Sequence, residues 1–125
     1  MAEGVFSKLD ESLQKALDER EWTPTPVQQV TQDDIAAGKD RLVVAPTGSG
    51  KTMAAILPLL DRCLREEWTG MSILYITPLR ALNRDVDRRL EEITSAVGLT
   101  LGLRHGDTPQ SERNKHVRKP PNVMI

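Results

Sequence analysis

The spacing of apolar residues along this chain changes repeatedly between a helical period and short continuous runs. The first helical pattern has apolar residues three and four positions apart: Leu9, Leu13, Ala16 and Leu17. This spacing predicts an amphipathic helix, with Ser7 as its cap and Asp10 in the capping-box position.

A second helix is predicted from the residues that would begin it. Thr25 suits the cap, Pro26 the first helical position and Gln28 the box position, and Gly38 would end the helix. A third helix is expected from about Gly50 to Glu67. Pro58 lies inside it and should bend it.

Four short apolar runs predict buried strands at residues 41–45, 72–76, 99–103 and 122–125. A helix between the second and third runs is indicated by apolar residues on one face: Leu79, Leu82, Val86, Leu90 and Ile93. Thr108 and Pro109 are expected to cap and start a short polar helix before the last run.

Strands that alternate with helices predict an α/β fold with a parallel sheet and flanking helices. We expect residues 1–40 to form N-terminal helices and residues 41–125 to form the first part of a nucleotide-binding domain, as a truncated three-layer sandwich. Ligands of such sheets bind beyond the carboxyl ends of the strands. Segments 45–52, 77–78 and 105–106 follow strands, so we expect them to share one rim.

Composition narrows the class of protein without fixing its function. With 125 residues, 38% hydrophobic and 28% charged, the chain suits one globular domain. It has neither a signal-peptide pattern nor an apolar run near the roughly 20 residues that span a bilayer, so we expect a cytoplasmic protein without a membrane partner. The single cysteine, Cys63, is expected to be a packed thiol.

Charge is distributed unevenly along the chain. Residues 1–40 hold nine acids and four bases, whereas residues 41–125 hold nine acids and thirteen bases. A nucleic-acid surface would therefore lie in the later segment, although scattered solvated charges explain the excess equally well.

Residues 45–52, Ala-Pro-Thr-Gly-Ser-Gly-Lys-Thr, match the phosphate-binding loop pattern with Ala45 in place of its first glycine. Glycines let backbone N–H groups curl around an anion, and the following helix adds its positive dipole end. Lys51 can reach the β- and γ-phosphates of a nucleotide, and the Thr52 hydroxyl can ligate Mg²⁺, so both are candidate catalytic groups. The predicted phosphate site comprises Thr47, Gly48, Ser49, Gly50, Lys51 and Thr52.

Four motifs in order, at residues 24–28, 45–52, 77–82 and 106–108, resemble the first RecA-like domain of a superfamily 2 helicase. Residues 75–83 and 106–113 are most similar to the large-helicase-related (Lhr) group. DEAD-box proteins typically have Pro-Thr-Arg-Glu-Leu-Ala where this chain has residues 77–82. The resemblance spans nearly the whole chain. It implies the ATP-binding part of an ATP-dependent helicase or translocase, with DNA favoured over RNA.

The resemblance also implies roles for individual residues. Gln28 would contact the adenine edge, since an amide carries a donor and an acceptor, although capping alone would also explain it. Phe6 would lie against the base or simply pack in the N-terminal helices. The start of the helix after Thr77 would offer N–H groups to a nucleic-acid phosphate. The implied nucleic-acid contacts are Thr77, Pro78, Arg80, Gly106, Asp107 and Thr108.

The resemblance requires, after the fourth strand, an Asp for Mg²⁺ and a Glu that activates water, and the 125 residues contain no such motif. We therefore interpret the chain as an N-terminal piece that binds ATP and Mg²⁺ but barely hydrolyses ATP without the rest of the helicase core. Two alternatives remain open. A small P-loop kinase would leave the motifs at 24–28 and 77–82 without a purpose, and a non-catalytic module would bind nucleotide without turnover.

Overall fold

The structure is a computed structural model that describes residues 4–77, 84–104, 106 and 108–125, with the backbone alone for residues 84–86. Contacts divide the chain into two compact units, one ending at Glu67 and the other beginning at Trp68. Within the described residues, no helix combines the length and apolar character needed to cross a membrane. The division at residue 40 that the motifs suggested stays a prediction.

The N-terminal unit begins with a short 3-10 helix, Gly4–Lys8, followed by helix α1, Glu11–Glu19. The predicted Ser7 cap is wrong, because the 3-10 helix places Ser7 where its hydroxyl donates to the Gly4 carbonyl at 2.7 Å. Asp10 caps α1 instead, and its carboxylate accepts from the Ser12 N–H at 3.0 Å. The predicted apolar face is confirmed, since all four of its residues are buried.

Helix α2, Pro26–Ala36, and helix α3, Lys51–Arg65, form the rest of this unit. Both match the predicted positions, including the stop before Gly38 and the proline inside α3. Phe6 is only 2% exposed, so it packs in this helical core. Cys63 is a buried free thiol, as predicted.

A buried carboxylate ties the N-terminus to α3. Asp61 accepts a hydrogen bond from the Asp10 backbone N–H at 2.6 Å and another from Arg65 Nε at 2.8 Å. Arg65 also donates to the Lys8 carbonyl. Because Asp61 is only 6% exposed, these bonds satisfy a charge that would otherwise be costly to bury.

The predicted strand at residues 41–45 is wrong. The segment has no regular secondary structure, and Leu42 and Val44 are 90% and 85% exposed. A buried parallel strand needs hydrogen-bonded neighbours. Within the described residues, no strand pairs with this segment, so its β-branched composition alone does not make it a strand.

The start of this segment is held by a polar cluster at the end of α2. Asp34 accepts from Arg41 Nε at 2.9 Å and pairs with Lys39 Nζ at 3.4 Å. The hydrogen bond from Arg41 is the main cause that lowers the pKa of the Asp34 carboxyl below its usual value.

The second unit contains a parallel three-stranded sheet. Its strands are β1, Ile73–Leu74, β2, Leu101–Gly102, and β3, Val123–Met124, in the spatial order β1-β3-β2. Val123 is in register with Ile73 on one side and Leu101 on the other. The three predicted strand positions in this region are therefore confirmed, although each ladder is shorter than its apolar run.

Asn122 joins the two edge strands at the start of β3. Its carbonyl accepts from the Ser72 and Ile73 N–H groups, and its side-chain oxygen accepts from the Thr100 N–H at 3.0 Å. Its amide also donates to the Gly70 carbonyl at 3.2 Å. One side chain thus aligns the segments that enter β1 and β2.

Two helices complete the second unit: α4, Arg84–Ala96, and α5, Gln110–Arg118. Leu90 and Ile93 are fully buried, as predicted for α4. Leu79 and Leu82 lie outside the described residues, as does the Val86 side chain. Helix α5 begins one residue later than predicted, because Pro109 rather than Thr108 is its cap and the Thr108 side chain is buried.

Candidate nucleotide site

The phosphate-binding loop turns sharply before α3. The Ser49 N–H donates to the Pro46 carbonyl at 3.2 Å, and Gly48 and Gly50 have φ angles of +82° and +89°. Both angles lie in the left-handed region that favours glycine. Gly50 is the cap of α3, so the first free N–H groups of this helix follow the loop directly.

Gln28 connects α2 to this loop. Its Oε1 accepts from the Thr25 N–H at 3.0 Å, while its Nε2 donates to the Gly50 carbonyl at 3.1 Å. The side chain is buried, with 6% exposed. A Cβ on Gly50 would lie 2.6 Å from Gln28 Nε2. The capping box and the glycine are therefore two parts of one packed junction.

Two buried hydroxyl groups lie beside this junction, those of Thr25 and Ser49, and the Ser49 hydroxyl lacks a hydrogen-bond partner within the described residues. The Thr25 side chain belongs to the capping box at the start of α2, where it faces the Gln28 backbone N–H, and its hydroxyl lies 3.0 Å from where a Gly50 Cβ would be. Buried polar groups without partners are uncommon in folded proteins. A nucleotide phosphate oxygen would be a suitable acceptor for the Ser49 hydroxyl.

Sequence reasoning missed that Thr25 lies beside the loop, next to Gly50. The sequence shows it only as a helix cap. Gln28 could have indicated this position, because in a capping box the cap residue lies three positions before its glutamine partner and packs against it.

Lys51 and Thr52 occupy the first turn of α3. The Lys51 side chain is exposed, and no carboxylate among the described residues pairs with its ammonium group. Thr52 is half-buried. An unpaired cation beside free helix N–H groups forms a positive site suited to phosphate.

The predicted nucleic-acid residues belong to the second unit, and only three of them are described. Thr77 is half-exposed at the end of the β1 segment, and Gly106 is exposed with nothing within 4 Å of a Cβ position. The Thr108 side chain is only 8% exposed, so it is packed rather than displayed. The other three, Pro78, Arg80 and Asp107, lie outside the described residues. The predicted common rim with the loop stays a prediction.

The glycine turn, the helix start and the parallel sheet together define the RecA-like class of P-loop α/β domains. The DEAD/DEAH box helicase family model matches residues 25–125. The chain belongs to this family. Membership decides against the small-kinase alternative and confirms the resemblance inferred from the four motifs.

Relatives refine the position within the family. The chain is 39% identical over 127 residues to the Lhr helicase/probable uracil glycosylase of Mycolicibacterium smegmatis, covering 85% of this chain and 8% of that protein. It is 41% identical to the Lhr helicase/uracil glycosylase of Escherichia coli, covering 82% of this chain and 8% of that protein. It is 30% identical to the ATP-dependent helicase Lhr-Core of Methanocaldococcus jannaschii, covering 98% and 17%. The chain thus spans less than a fifth of the length of these relatives.

Solved structures agree with these matches. Mycobacterium smegmatis helicase Lhr bound to ssDNA and AMP-PNP has a TM-score of 0.83 at 32% identity, over 98% of this chain and 17% of that one. The RNA helicase Prp28 from Chaetomium thermophilum bound to ADP has a TM-score of 0.80 at 26% identity, over 95% of this chain and 30% of that one. The predicted RecA-like α/β fold is confirmed.

Proposed function

We propose that this chain is the ATP-binding part of a nucleic-acid helicase or translocase that uses ATP. The observation that carries the proposal is the Gln28 side chain, which bridges the Thr25 N–H and the Gly50 carbonyl. This bridge brings the glutamine motif and the phosphate loop into one buried junction. A phosphate loop on its own would not need it.

The loop residues divide the work of phosphate binding. The N–H groups of Gly48, Gly50 and Lys51 would surround the β- and γ-phosphates, and the Lys51 ammonium would neutralise their charge. The Thr52 hydroxyl is the proposed ligand of a Mg²⁺ ion, which would supply charge stabilisation to the phosphates. The Ser49 hydroxyl, which has no hydrogen-bond partner within the described residues, would be a further donor to the phosphates.

Gln28 is the proposed adenine contact. Its amide has one N–H and one oxygen lone pair left after the bonds to Thr25 and Gly50. This is the donor and acceptor pair that the adenine edge requires. Adenine contact and capping are therefore compatible roles of the same side chain.

For the longer protein we propose DNA as the substrate, with the remainder of the helicase core completing the hydrolytic site. The Lhr helicase of known structure was bound to ssDNA, which supports this choice. Residues proposed to contact the backbone are Thr77, Pro78, Arg80, Gly106, Asp107 and Thr108. Residues 1–40 and 41–125 remain our proposed division by motif, and the cytoplasm our proposed location.

The test is binding of ATP with Mg²⁺ to the chain and to Lys51→Ala. Losing a charge-assisted hydrogen bond costs about 1.5–3 kcal/mol, so affinity should fall roughly 10- to 100-fold. Lys15→Ala is the matched control, since Lys15 is an exposed lysine on α1. Equal affinities for wild type and Lys51→Ala would overturn the proposed site.

Selection of adenine is tested by Gln28→Ala with ATP and GTP. We expect ATP to lose about 0.5–1.5 kcal/mol more than GTP. Circular dichroism of the same variant measures the cap separately. Equal losses for both nucleotides, with less helix, would leave Gln28 as a structural residue only.

A further inference from the structure

Helix α5 differs from the other helices in what it buries. None of its residues, Gln110–Arg118, is buried. A helix that is polar on every side is not held by an apolar stripe, so its exposed face is available for another role.

One side of α5 is turned toward the chain that precedes it. Arg113 donates from Nε to the Thr108 carbonyl at 3.1 Å and from Nη2 to the Gly106 carbonyl at 3.4 Å. The His116 side chain is 12% exposed, and its Nε2 lies 3.1 Å from where a Cβ on Gly102 would be. These contacts fix which face of α5 points outward.

The opposite face carries Ser111, Asn114, Lys115 and Arg118, at the three- and four-residue spacing of neighbours on a helix. All four are exposed. The Asn114 side-chain oxygen, Oδ1, accepts a hydrogen bond from Gln110 Nε2 at 3.0 Å. The NH₂ group of the same Asn114 side chain can therefore donate to other acceptors. We call these four residues the outer face of α5.

No carboxylate neutralises this face within the described residues. Residues 113–119 contain four bases and no acid. The acid in the preceding turn, Glu112, has its carboxylate 4.0 Å from His116 Nε2, on the flank of the helix. Every group on the outer face can therefore donate a hydrogen bond, and two of them are cationic.

We propose that the outer face of α5 binds the phosphate backbone of single-stranded nucleic acid. The inference rests on the proposed function, because it extends the nucleic-acid path from the loop after β2 along a helix outside the four motifs. Side chains of Ser, Asn, Lys and Arg are those that contact phosphates and set register without reading bases.

An acidic protein partner fits this face less well. Protein interfaces have an apolar or aromatic core inside a polar rim. The four residues of the outer face include no apolar side chain, and Val117, 74% exposed, is the single apolar residue of α5 and borders this face beside Asn114. Phosphate binding needs no such core, because release of counterions supplies most of the binding free energy.

The experiment measures binding of the full chain to a labelled single-stranded DNA of about 20 nucleotides, from about 50 to 200 mM salt. The variant is Lys115→Ala/Arg118→Ala. Removing two phosphate contacts should reduce the slope of log affinity against log salt by about 1.4. The control, Lys15→Ala/Lys39→Ala, removes the same charge from the first unit and should keep the wild-type slope.

The variant Lys115→Arg/Arg118→Lys keeps both charges and should retain the wild-type slope, which separates charge from helix folding. Three results would overturn the inference: no DNA binding by the wild type, an unchanged slope in Lys115→Ala/Arg118→Ala, or an equal loss in the control. Equal binding of polyglutamate, lost in the same variant, would assign the face to an acidic polypeptide instead. ATP binding, which needs Lys51, tests the proposed function separately, so either can fail alone.

Discussion

Helices α3 and α5 differ in how much of their surface is buried. Eight of the fifteen residues of α3 are buried, whereas α5 has nine residues and buries none. The first is held by apolar packing around residues such as Leu57 and Leu60, and the second by the Arg113 bonds to two carbonyls. Helix α3 therefore positions the phosphate loop, whereas α5 exposes charged side chains to solvent.

The largest difference between the two helices should be the loss of stability when an apolar side chain is shortened. Leu60 is fully buried in α3, so Leu60→Ala should lower the free energy of unfolding by about 2–5 kcal/mol. Val117→Ala on α5, where the side chain is 74% exposed, should change it by less than about 0.5 kcal/mol. Urea denaturation followed by circular dichroism measures both. Similar losses would show that α5 is packed as firmly as α3.

The buried carboxylate of α3 should give the next largest effect. Asp61→Asn removes the charge that accepts from the Asp10 N–H and from Arg65, and should cost about 1–3 kcal/mol. The control is Glu66→Gln in the exposed pair with Arg62, which should change stability much less. If the two substitutions have equal effects in urea denaturation, Asp61 does not tie the N-terminus to α3.

The glycines near the starts of the two helices also differ. Gly50→Ala places a Cβ 2.6 Å from Gln28 Nε2 at a φ of +89°, which should cost about 1–2 kcal/mol from the left-handed backbone alone. It should also weaken ATP binding. Gly106→Ala meets nothing within 4 Å and should leave the free energy of unfolding unchanged. If Gly50→Ala is as stable as the wild type, the Gln28 side chain can move away from residue 50 at little cost in free energy.

Local signals explain what the sequence predicted correctly. The cap at Thr25, the box residue Gln28 and the start of α3 depend on neighbours a few positions away, so they could be inferred before the structure was known. The bond from Gln28 to Gly50 could not, because it joins residues 22 positions apart. The strand predicted at residues 41–45 failed for a related reason. Its apolar pattern was clear, but a strand exists only with a partner, and sequence periodicity does not reveal whether one is present.

The smallest effect we expect is a change in the pH dependence of stability, which should differ between cations that pair with a carboxylate and cations that do not. Arg41 and Lys39 are paired with Asp34 at the end of α2, in contrast to Lys115 and Arg118 on the outer face of α5. The pKa of Asp34 is lowered chiefly by the Arg41 hydrogen bond. A carboxyl with a lowered folded-state pKa adds stability above its unfolded pKa of about 3.9 and loses it as pH falls through the folded value.

Unfolding of the wild type and of Asp34→Asn should therefore be compared from about pH 6 to about pH 3. The wild type should be slightly more stable at the upper end, and the two curves should converge as Asp34 is protonated. Added salt should shrink the difference, since the pair is exposed. Lys115→Ala, which removes a cation that has no carboxylate partner among the described residues, should give a curve parallel to that of the wild type. A constant gap between wild type and Asp34→Asn across this range would show that the Asp34 charge is not what anchors residue 41, and that hydrogen bonding to a neutral side chain holds it equally well.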